Sequence, residues 1–394
     1  MAKGIQLDPK LLEFCKTEQQ RQKLEAIIEC GSMQAAARAL DMNYATIHEA
    51  VQKVKRHAES RGYSPEHDLS HVLPETLKLR GTSTLYHAEK GMMMQWVKTR
   101  ADEEAQAKAV LEGIKDALQE FAGLAEPVRH CGFAEEETCA VYGMGDAHFG
   151  MLAHKDETQI DDFDSEIAYR VMQGAVDYLT QAAPATKEAV FINVGDALHV
   201  DNRSNKTPGH GHQLDADTRY YRIIKVFVWA MIHAIRRMLE KHEHLTVINA
   251  AGNHDPDSTQ WIQLALSLYF ENEPRVTIVQ DASAYHFYSF GKVLLGVTHG
   301  DGAKMEELPQ IMAHLRPQEW GNSTQRRWIT GHIHHKTVKE FNGCTVESMN
   351  TLAPSDAWHS KSGYFAAREM QCMIFHQEHG LVARNICPVG LAHS

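Results

Sequence analysis

The chain has 394 residues, of which 43% are hydrophobic and 23% are charged, which is enough apolar side chain for the cores of two or three domains. The net charge of −11 argues against a protein that coats nucleic acid with its whole surface, and seven cysteines, never spaced as Cys-x-x-Cys, argue against a disulfide framework or a thiolate zinc site. The longest nearly apolar stretch, Val226 to Ile235, falls well short of the roughly 18 residues of a membrane span, so we expect no membrane association.

The first 62 residues are predicted to form a small helical domain. Charged residues interrupt the first 14 positions, which leaves no secretory segment there, so we expect a cytoplasmic protein. Apolar spacing predicts one helix on each side of Gly31-Ser32, and Asn43 is suited to N-cap a third helix. The later part of this third helix carries three cations, Lys53, Lys55 and Arg56.

Residues 18–57 resemble helix-turn-helix DNA-binding modules, in which the third helix reads the DNA. The resemblance implies that Lys53, Lys55 and Arg56 contact DNA. The alternative is a small helical bundle that docks on its own protein.

Residues 63–137 are predicted to connect two domains. The segments Thr76 to Tyr86 and Met92 to Thr99 are rich in β-favouring residues and flank a turn signal, which predicts a β-hairpin. Alanine, glutamate and lysine dominate from Arg100 to Leu124, which predicts a connecting helix. An irregular acidic linker, Glu126 to Glu137, then precedes a larger domain over residues 138–394.

Five apolar runs in this larger domain each end in side chains that can bind metal. The clusters that follow them are Asp146-Ala147-His148, Gly195-Asp196, Gly252-Asn253-His254-Asp255, His299-Gly300-Asp301 and Gly331-His332-Ile333-His334. Because the loops after parallel strands meet at one edge of a sheet, we expect these clusters to converge. Oxygen and nitrogen donors without thiolates suit Mn²⁺, Fe²⁺, Zn²⁺ or Ni²⁺, and the residue types alone do not choose among these ions.

The order and spacing of these clusters over residues 140–335 resemble the motif set of the calcineurin-like metallophosphoesterases. The resemblance implies a four-layer α/β/β/α sandwich, which fits the helix expected between Leu214 and Leu239. The closing segment, Gly363 to Val389, is predicted from its residues to form strands around a turn at Gln377 and to complete the second sheet. The resemblance further implies two divalent metal ions, with Mn²⁺ favoured, and a hydroxide that they activate for in-line attack on the phosphorus. By the same resemblance, the first ion is held by Asp146, His148, Asp196 and His334. The second ion is held by Asp196, Asn253, His299 and His332.

The resemblance also implies roles for histidines that are not ligands. His254 would donate a proton to the leaving group, with Asp255 orienting it. His199 stands near the place where many family members carry a second acid. It resembles the histidine that assists phosphodiester cleavage in double-strand-break repair nucleases. Alternatively, His199 hydrogen-bonds a neighbouring metal ligand. Four residues of the following polar loop either touch a substrate phosphate or simply face solvent: Arg203, Lys206, His210 and His212.

The two halves of the chain together predict a phosphodiesterase that acts on DNA, that is, a nuclease. A small helix-turn-helix module fused to a phosphoesterase domain resembles an arrangement that phage genomes encode, and the protein would then act in the host cytoplasm. Two alternatives are a phosphomonoesterase for nucleotides or phosphoproteins, whose helical module binds protein, and a DNA-binding regulator whose metal domain is vestigial. The sequence leaves open whether the chain forms a homo-oligomer and whether it has a partner ATPase.

Overall fold

The computed structural model describes residues 7–64, 69–70, 72–73, 77–87, 91–101, 122–209, 211–355, 363 and 365–392. The fold is mixed α/β, and the chain divides into two compact units, Met1–Ala117 and Leu118–Ser394. Residues 102–121 of the predicted connecting helix lie outside the described residues. The prediction was wrong at both ends. Arg100 and Ala101 belong to a strand because the β-favouring pattern of the hairpin continues to that point, and residues 122–124 are not helical.

The first unit begins with a bundle of short helices. It contains a 3-10 helix, Pro9–Phe14, and three α-helices, α1 (Glu18–Cys30), α2 (Met33–Ala39) and α3 (Tyr44–Ser60). Gly31 ends α1 with a φ of 70°, and the Asn43 side chain accepts a hydrogen bond from the backbone N–H of Ala45 at 2.9 Å. One apolar face of each helix forms the core, which includes Leu24, Ile27, Ile47, Val51 and Val54. The three predicted helices are thus confirmed.

Two antiparallel strand pairs follow in the same unit. The first is β1 (Tyr63–Ser64) with β2 (Leu69–Ser70), and the second is β3 (Leu77–His87) with β4 (Gly91–Ala101). The second pair confirms the predicted hairpin, with strand ends within two residues of the predicted ones.

The second unit alternates strands and helices. In chain order it contains β5 (Glu135–Met144), α4 (Lys155–Thr158), α5 (Ser165–Ala182), β6 (Thr186–Asn193), α6 (Tyr220–Leu239), β7 (His244–Asn249), α7 (Pro256–Tyr269), β8 (Val276–Ile278), β9 (His286–Phe290), β10 (Val293–Val297), α8 (Leu308–Leu315), α9 (Pro317–Asn322), β11 (Gln325–Thr330), β12 (Thr337–Phe341), β13 (Cys344–Ser348), β14 (Glu369–His376), β15 (Gly380–Pro388) and α10 (Val389–Ala392). Each of the five predicted apolar runs lies in a strand: β5, β6, β7, β10 and β11. The helix expected before Leu239 is α6.

These strands form two sheets. The six-stranded sheet has the order β15-β14-β5-β6-β7-β8, and the five-stranded sheet has the order β12-β13-β11-β10-β9. Neighbouring strands run parallel from β5 to β8, and β11 runs parallel to both β10 and β13. The carboxyl ends of the strands that precede the metal-competent clusters therefore point the same way within each sheet.

The closing strands were predicted to complete the second sheet, and this prediction was wrong. The strand β14 pairs with β5 and therefore belongs to the six-stranded sheet. It is apolar on both faces, with Cys372 in the core beneath the helices and Met373 in the core between the sheets. A strand that is buried on both faces fits beside β5, which is buried in the same way.

Three successive cores hold the second unit together. The first joins α5, α6 and α7 to one face of the six-stranded sheet and includes Tyr142, Phe149, Phe191 and Phe227. The second lies between the two sheets and includes Val141, Ile192, Val297 and Ile329. The third packs α8 on the far face of the five-stranded sheet through Leu294, Met312 and Trp328.

A buried ion cluster also joins the two sheets. Glu347, on β13 and fully buried, accepts hydrogen bonds from Arg327 at 2.5 Å and from Nη2 of Arg384 at 2.8 Å. Arg384 lies on β15 and also donates to Oε1 of Gln371 at 2.6 Å, so the cluster spans both sheets. Although burial opposes it, the two arginines hold the pKa of Glu347 below its usual value.

Among the described helices, none is both long enough and apolar enough to cross a lipid bilayer.

A buried histidine in the second unit makes folding stability sensitive to pH. His242 is fully buried, its Nε2 lies 2.8 Å from the Tyr142 hydroxyl, and its Nδ1 lies 2.8 Å from Oγ1 of Thr186. Burial lowers the pKa of His242 from 6.5 to about 3. The neutral ring therefore contributes stability in full above pH 6.5, and this contribution is lost as the pH falls from there towards 3.

We expect His242→Gln to flatten the pH dependence of the free energy of unfolding below about pH 6.5, because the unfolded mutant no longer takes up this proton. The slope of the free energy of unfolding against pH should differ from that of wild type by up to about 1.4 kcal/mol per pH unit. Urea denaturation at several pH values measures it. His244→Gln, which changes an exposed histidine two positions away, should keep the wild-type slope. A wild-type slope in His242→Gln would contradict the view that His242 causes this pH dependence.

Candidate metal centre

Two groups of donor atoms meet beyond the strand ends, and Asp196 belongs to both. The ligand atoms lie within 4.8 Å of one another in each group: Asp146, His148, Asp196 and His334 in the first, and Asp196, His299 and His332 in the second. Oδ1 of Asn253 lies 3.0 Å from Nε2 of His299, so it adjoins the second group. The structure thus brings together all seven residues that the sequence resemblance marks as metal ligands.

The donor atoms face one another at short range. Nε2 of His148 and Nε2 of His334 are 3.2 Å apart, and the latter atom is 3.4 Å from Oδ1 of Asp146. In the second group, Nε2 of His299 lies 3.2 Å from Oδ2 of Asp196. Several donor atoms that point at one common space in this way can bind a single cation.

The backbone at the ligand positions is strained. Four of these residues have a positive φ: His148 at 44°, Asp196 at 49°, His332 at 69° and His334 at 56°. Residues with a Cβ rarely adopt this left-handed conformation, which costs about 1–3 kcal/mol per residue and clusters at functional sites. The surrounding structure therefore holds these side chains in place against a local preference.

Glycines make room for the donor side chains. A Cβ added to Gly252 would overlap both Oδ1 and the backbone nitrogen of Asp196. A Cβ at Gly331 would lie 2.6 Å from Oδ2 of Asp146, and a Cβ at Gly195 would lie 2.7 Å from Nδ1 of His299. Real Cβ atoms do not approach other heavy atoms this closely, so only glycine lets these loops reach the ligands.

Buried carboxylates dominate the electrostatics of the centre. Asp255 is fully buried and accepts hydrogen bonds from the backbone N–H groups of Asp196 at 3.2 Å, Leu198 at 3.0 Å and Gly252 at 3.0 Å. Burial, together with the nearby charge of Asp196, raises the pKa of Asp255 to about 7. Although burial opposes it, Asp196 raises the pKa of His299 to about 10, and His299 in turn holds the pKa of Asp196 well below its usual value.

The donor set fits divalent cations. It consists of two carboxylates, one amide oxygen and four imidazoles, and the described part of the chain places no thiolate among them. Neutral imidazoles and carboxylates bind ions such as Mn²⁺, Fe²⁺, Zn²⁺ and Ni²⁺, and a cation compensates the negative charge of Asp146 and Asp196.

Two further histidines lie against the first group. Nδ1 of His254 is 2.9 Å from the His199 carbonyl, and the backbone N–H of His254 donates to Oδ1 of Asp196 at 2.8 Å. His199 is buried, stacks on the His254 ring and places its Nδ1 3.4 Å from Nδ1 of His148. Nitrogens of these three histidines lie within 4.8 Å of one another, a grouping that the sequence analysis missed. The contact between His199 and His148 agrees with the hydrogen-bonding alternative and leaves room for the catalytic one.

Asp255 lies at the centre without touching the ring it was predicted to orient. Its carboxylate bonds backbone N–H groups of two loops, whereas Nδ1 of His254 faces the His199 carbonyl. Asp255 is therefore placed to hold the loops of Asp196 and Gly252 together.

The other predicted residues that the structure describes belong to neither donor group. Arg203, Lys206 and His212 are exposed in their loop, and His210 lies outside the described residues. In the first unit, Lys53 pairs with Glu49 at 2.7 Å, and Nε of Arg56 donates to the Gln52 carbonyl at 3.3 Å. Lys55 is half-buried on the same helix.

Two supporting residues were missed by the sequence analysis. Asp201 accepts hydrogen bonds from the backbone N–H groups of Asp257 at 2.9 Å and Ser258 at 2.7 Å, and so anchors the start of α7 next to the His254 loop. Oγ1 of Thr351 donates to the Asp146 carbonyl at 2.6 Å. Neither residue belongs to a motif, and each acts across a large separation in sequence, so no local pattern signals its role.

The chain resembles known proteins only distantly. No protein-family model matches the chain, and no curated protein matches it either. Among solved structures, Vps29 from Entamoeba histolytica complexed with Zn²⁺ is 12% identical over 64% of this chain and 99% of that chain, with a TM-score of 0.26. Vacuolar Protein Sorting 29 from Cryptosporidium parvum is 15% identical over 64% and 97%, with a TM-score of 0.30. A predicted phosphoesterase from Streptococcus pneumoniae is 8% identical over 64% and 98%, with a TM-score of 0.24.

We expect Asp196→Ala to abolish both tight metal binding and turnover, because this carboxylate belongs to both donor groups. His254→Ala should keep the metals and lose roughly 10²- to 10⁴-fold in rate, the usual range for loss of general acid catalysis. Metal content by mass spectrometry and rates on a phosphodiester separate the two effects. The exposed His314 on α8 gives a control away from the donor groups, and His314→Ala should keep both properties. Loss of metal from His254→Ala would make that residue a ligand and refute its assignment as the acid.

Proposed function

We propose that this chain is a calcineurin-like metallophosphoesterase that hydrolyses phosphodiesters in nucleic acid, with DNA as its substrate. The observation that carries this proposal is the convergence of seven oxygen and nitrogen donors on two groups that share Asp196, with His254 and His199 beside them. The three successive cores, which pack helix on sheet, sheet on sheet and sheet on helix, support the four-layer sandwich of that family.

The residues of the centre divide the chemical work. The two donor groups would hold two divalent cations, for which Mn²⁺ is favoured. When bound, these cations supply Lewis acidity to the phosphate and lower the pKa of a water. The His199 carbonyl can only accept a hydrogen bond, so it holds the proton of His254 on Nδ1. Nε2 of a protonated His254 then carries the proton for the departing alkoxide. A diester needs this proton because an alkoxide is a poor leaving group.

Cations on α3 support nucleic acid as the polymer. Lys53 and Arg56 are exposed, whereas Ile47, Val51 and Val54 on the same helix face the core, so these charges lie on the solvent side. Because Lys53 pairs with Glu49, phosphate contacts at this position compete with an ion pair.

One experiment tests the proposed function. The metal-loaded protein is incubated with single-stranded DNA, double-stranded DNA, RNA, a panel of mononucleotides and an aryl phosphomonoester, with Asp196→Ala as the control for contaminating nucleases. We expect DNA to be cleaved by wild type alone. Hydrolysis of the monoesters without cleavage of DNA would favour a phosphomonoesterase, and binding of DNA with no hydrolysis of any substrate would favour a regulator.

The role of α3 predicts a change in salt dependence. Replacing Lys53, Lys55 and Arg56 by Gln should lower the slope of log K against log salt for DNA binding by up to about 0.9 for each phosphate that the mutant no longer neutralises. Fluorescence anisotropy at several salt concentrations measures the slope. Lys16 and Arg21 are exposed cations elsewhere in the same unit, and their replacement by Gln should leave the slope unchanged. An unchanged slope in the triple mutant would favour the alternative of a docked helical bundle.

The position of His199 predicts a bias towards diesters. A diester expels a poorly stabilised alkoxide and carries one less negative charge than a monoester dianion, so its departing oxygen gains more from an additional proton or hydrogen-bond donor. We therefore expect His199→Ala to lower kcat/KM on a diester substantially more than on a monoester, with the metal content retained. Equal losses on both substrates would restrict His199 to holding His148. A larger loss on the monoester would count against the nuclease proposal.

A further inference from the structure

A groove of about 300 Å³ opens directly beside the first donor group. The metal-ligand candidate His334 forms part of its wall. Further lining residues are Ile160, Ile333, Ala353, Pro354, Phe365 and Arg368. The groove is therefore continuous with the place where a phosphate would be held.

The floor of the groove is fixed to the metal-ligand loops. Thr351 donates from Oγ1 to the Asp146 carbonyl at 2.6 Å, and the same oxygen accepts the backbone N–H of Ala353 at 3.0 Å. On the other side of this segment, Nε of Arg368 donates to the Leu352 carbonyl at 3.0 Å, and its Nη1 donates to Asp161 at 2.5 Å. These hydrogen bonds hold the floor at a fixed distance from the donor groups, so the groove is preorganised for binding.

Two apolar side chains on the rim are exposed. Ile333 lies between the ligand candidates His332 and His334 and is 38% exposed, and Phe365 is 64% exposed. The described lining residues include no carboxylate, and the guanidinium of Arg368 lies in the wall, where it pairs with Asp161. The rim therefore offers exposed apolar and aromatic surface next to the place where a phosphate would be held.

We infer that this groove binds one nucleoside of the substrate, with its base stacked on Phe365, on one side of the scissile phosphate. The inference rests on the proposed phosphodiesterase function. A volume of about 300 Å³ is at the lower end of the range for small-molecule sites, which suits a single nucleoside. Stacking on an aromatic ring is the common way in which proteins hold an unpaired base, so the enzyme acts on a nucleotide whose base is unpaired at this position.

The test uses substrates that differ only in the base. Thymidine 5′-(p-nitrophenyl phosphate), its 3′-linked isomer and the two corresponding abasic tetrahydrofuran compounds are hydrolysed by metal-loaded wild type and by Phe365→Ala. For one of the isomers we expect the base to raise kcat/KM of wild type by about 5- to 100-fold, the usual contribution of one stacked base. Phe365→Ala should lose this advantage and hydrolyse the abasic compounds at the wild-type rate.

Two control variants distinguish the loss of base stacking in Phe365→Ala from a general loss of folding. Phe365→Trp should retain the preference for the base, and Phe133→Ala, which removes another exposed phenylalanine, should behave as wild type. Equal losses on base-bearing and abasic substrates, or no effect of the base in wild type, would overturn the inference while leaving the phosphodiesterase intact. A greater effect of Phe365→Ala on a phosphotyrosine peptide would also overturn it and assign the groove to a protein side chain. No hydrolysis of any diester by wild type would instead refute the proposed function.

Discussion

The burial of carboxylates at the strand ends is the constraint on which the rest of the structure depends. Asp146, Asp196 and Asp255 are almost completely withdrawn from solvent, and buried negative charge is costly unless it is compensated. Backbone N–H groups compensate Asp255, and imidazoles face the other two carboxylates. Bringing the imidazoles close to these carboxylates requires a left-handed backbone at His148 and His334. It also requires glycine at the positions where the backbone lies against the donor side chains.

The relative position of the two sheets determines the geometry of the centre. Asp146 and Asp196 follow strands of the six-stranded sheet, whereas His299 and His334 follow strands of the five-stranded sheet. The cluster around Glu347 joins the same two sheets, and breaking such a buried pair typically costs about 3–5 kcal/mol. A sliding motion between the sheets would separate the donors and would also part Glu347 from Arg384, which lies on the other sheet. The apolar core between the sheets and this cluster therefore support the centre from behind.

The sequence predicted the parts of the structure that are encoded locally. Apolar runs located β5, β6, β7, β10 and β11, and glycine and asparagine marked the ends of α1 and the start of α3. The resemblance named the seven donors that the structure brings together. It did not reveal that β14 pairs with β5, because a strand that is apolar on both faces does not specify its neighbour. Nor did it reveal the contact of Thr351 with Asp146 or the stacking of His199 on His254, since contacts between distant segments leave no periodic signal.

The centre is assembled from segments that are far apart along the chain. The backbone N–H of His332 donates to Asp146, which lies 186 positions earlier. The same separation of 186 positions lies between His148 and His334, whose rings are in contact. Contacts of such long range form late in folding, because the entropy of closing a long loop opposes them. During synthesis, a nascent chain that ends before His332 has both carboxylates of the first group and lacks the imidazole of His334. The first donor group is therefore complete only after His334 has left the ribosome, when most of the second unit has been synthesised.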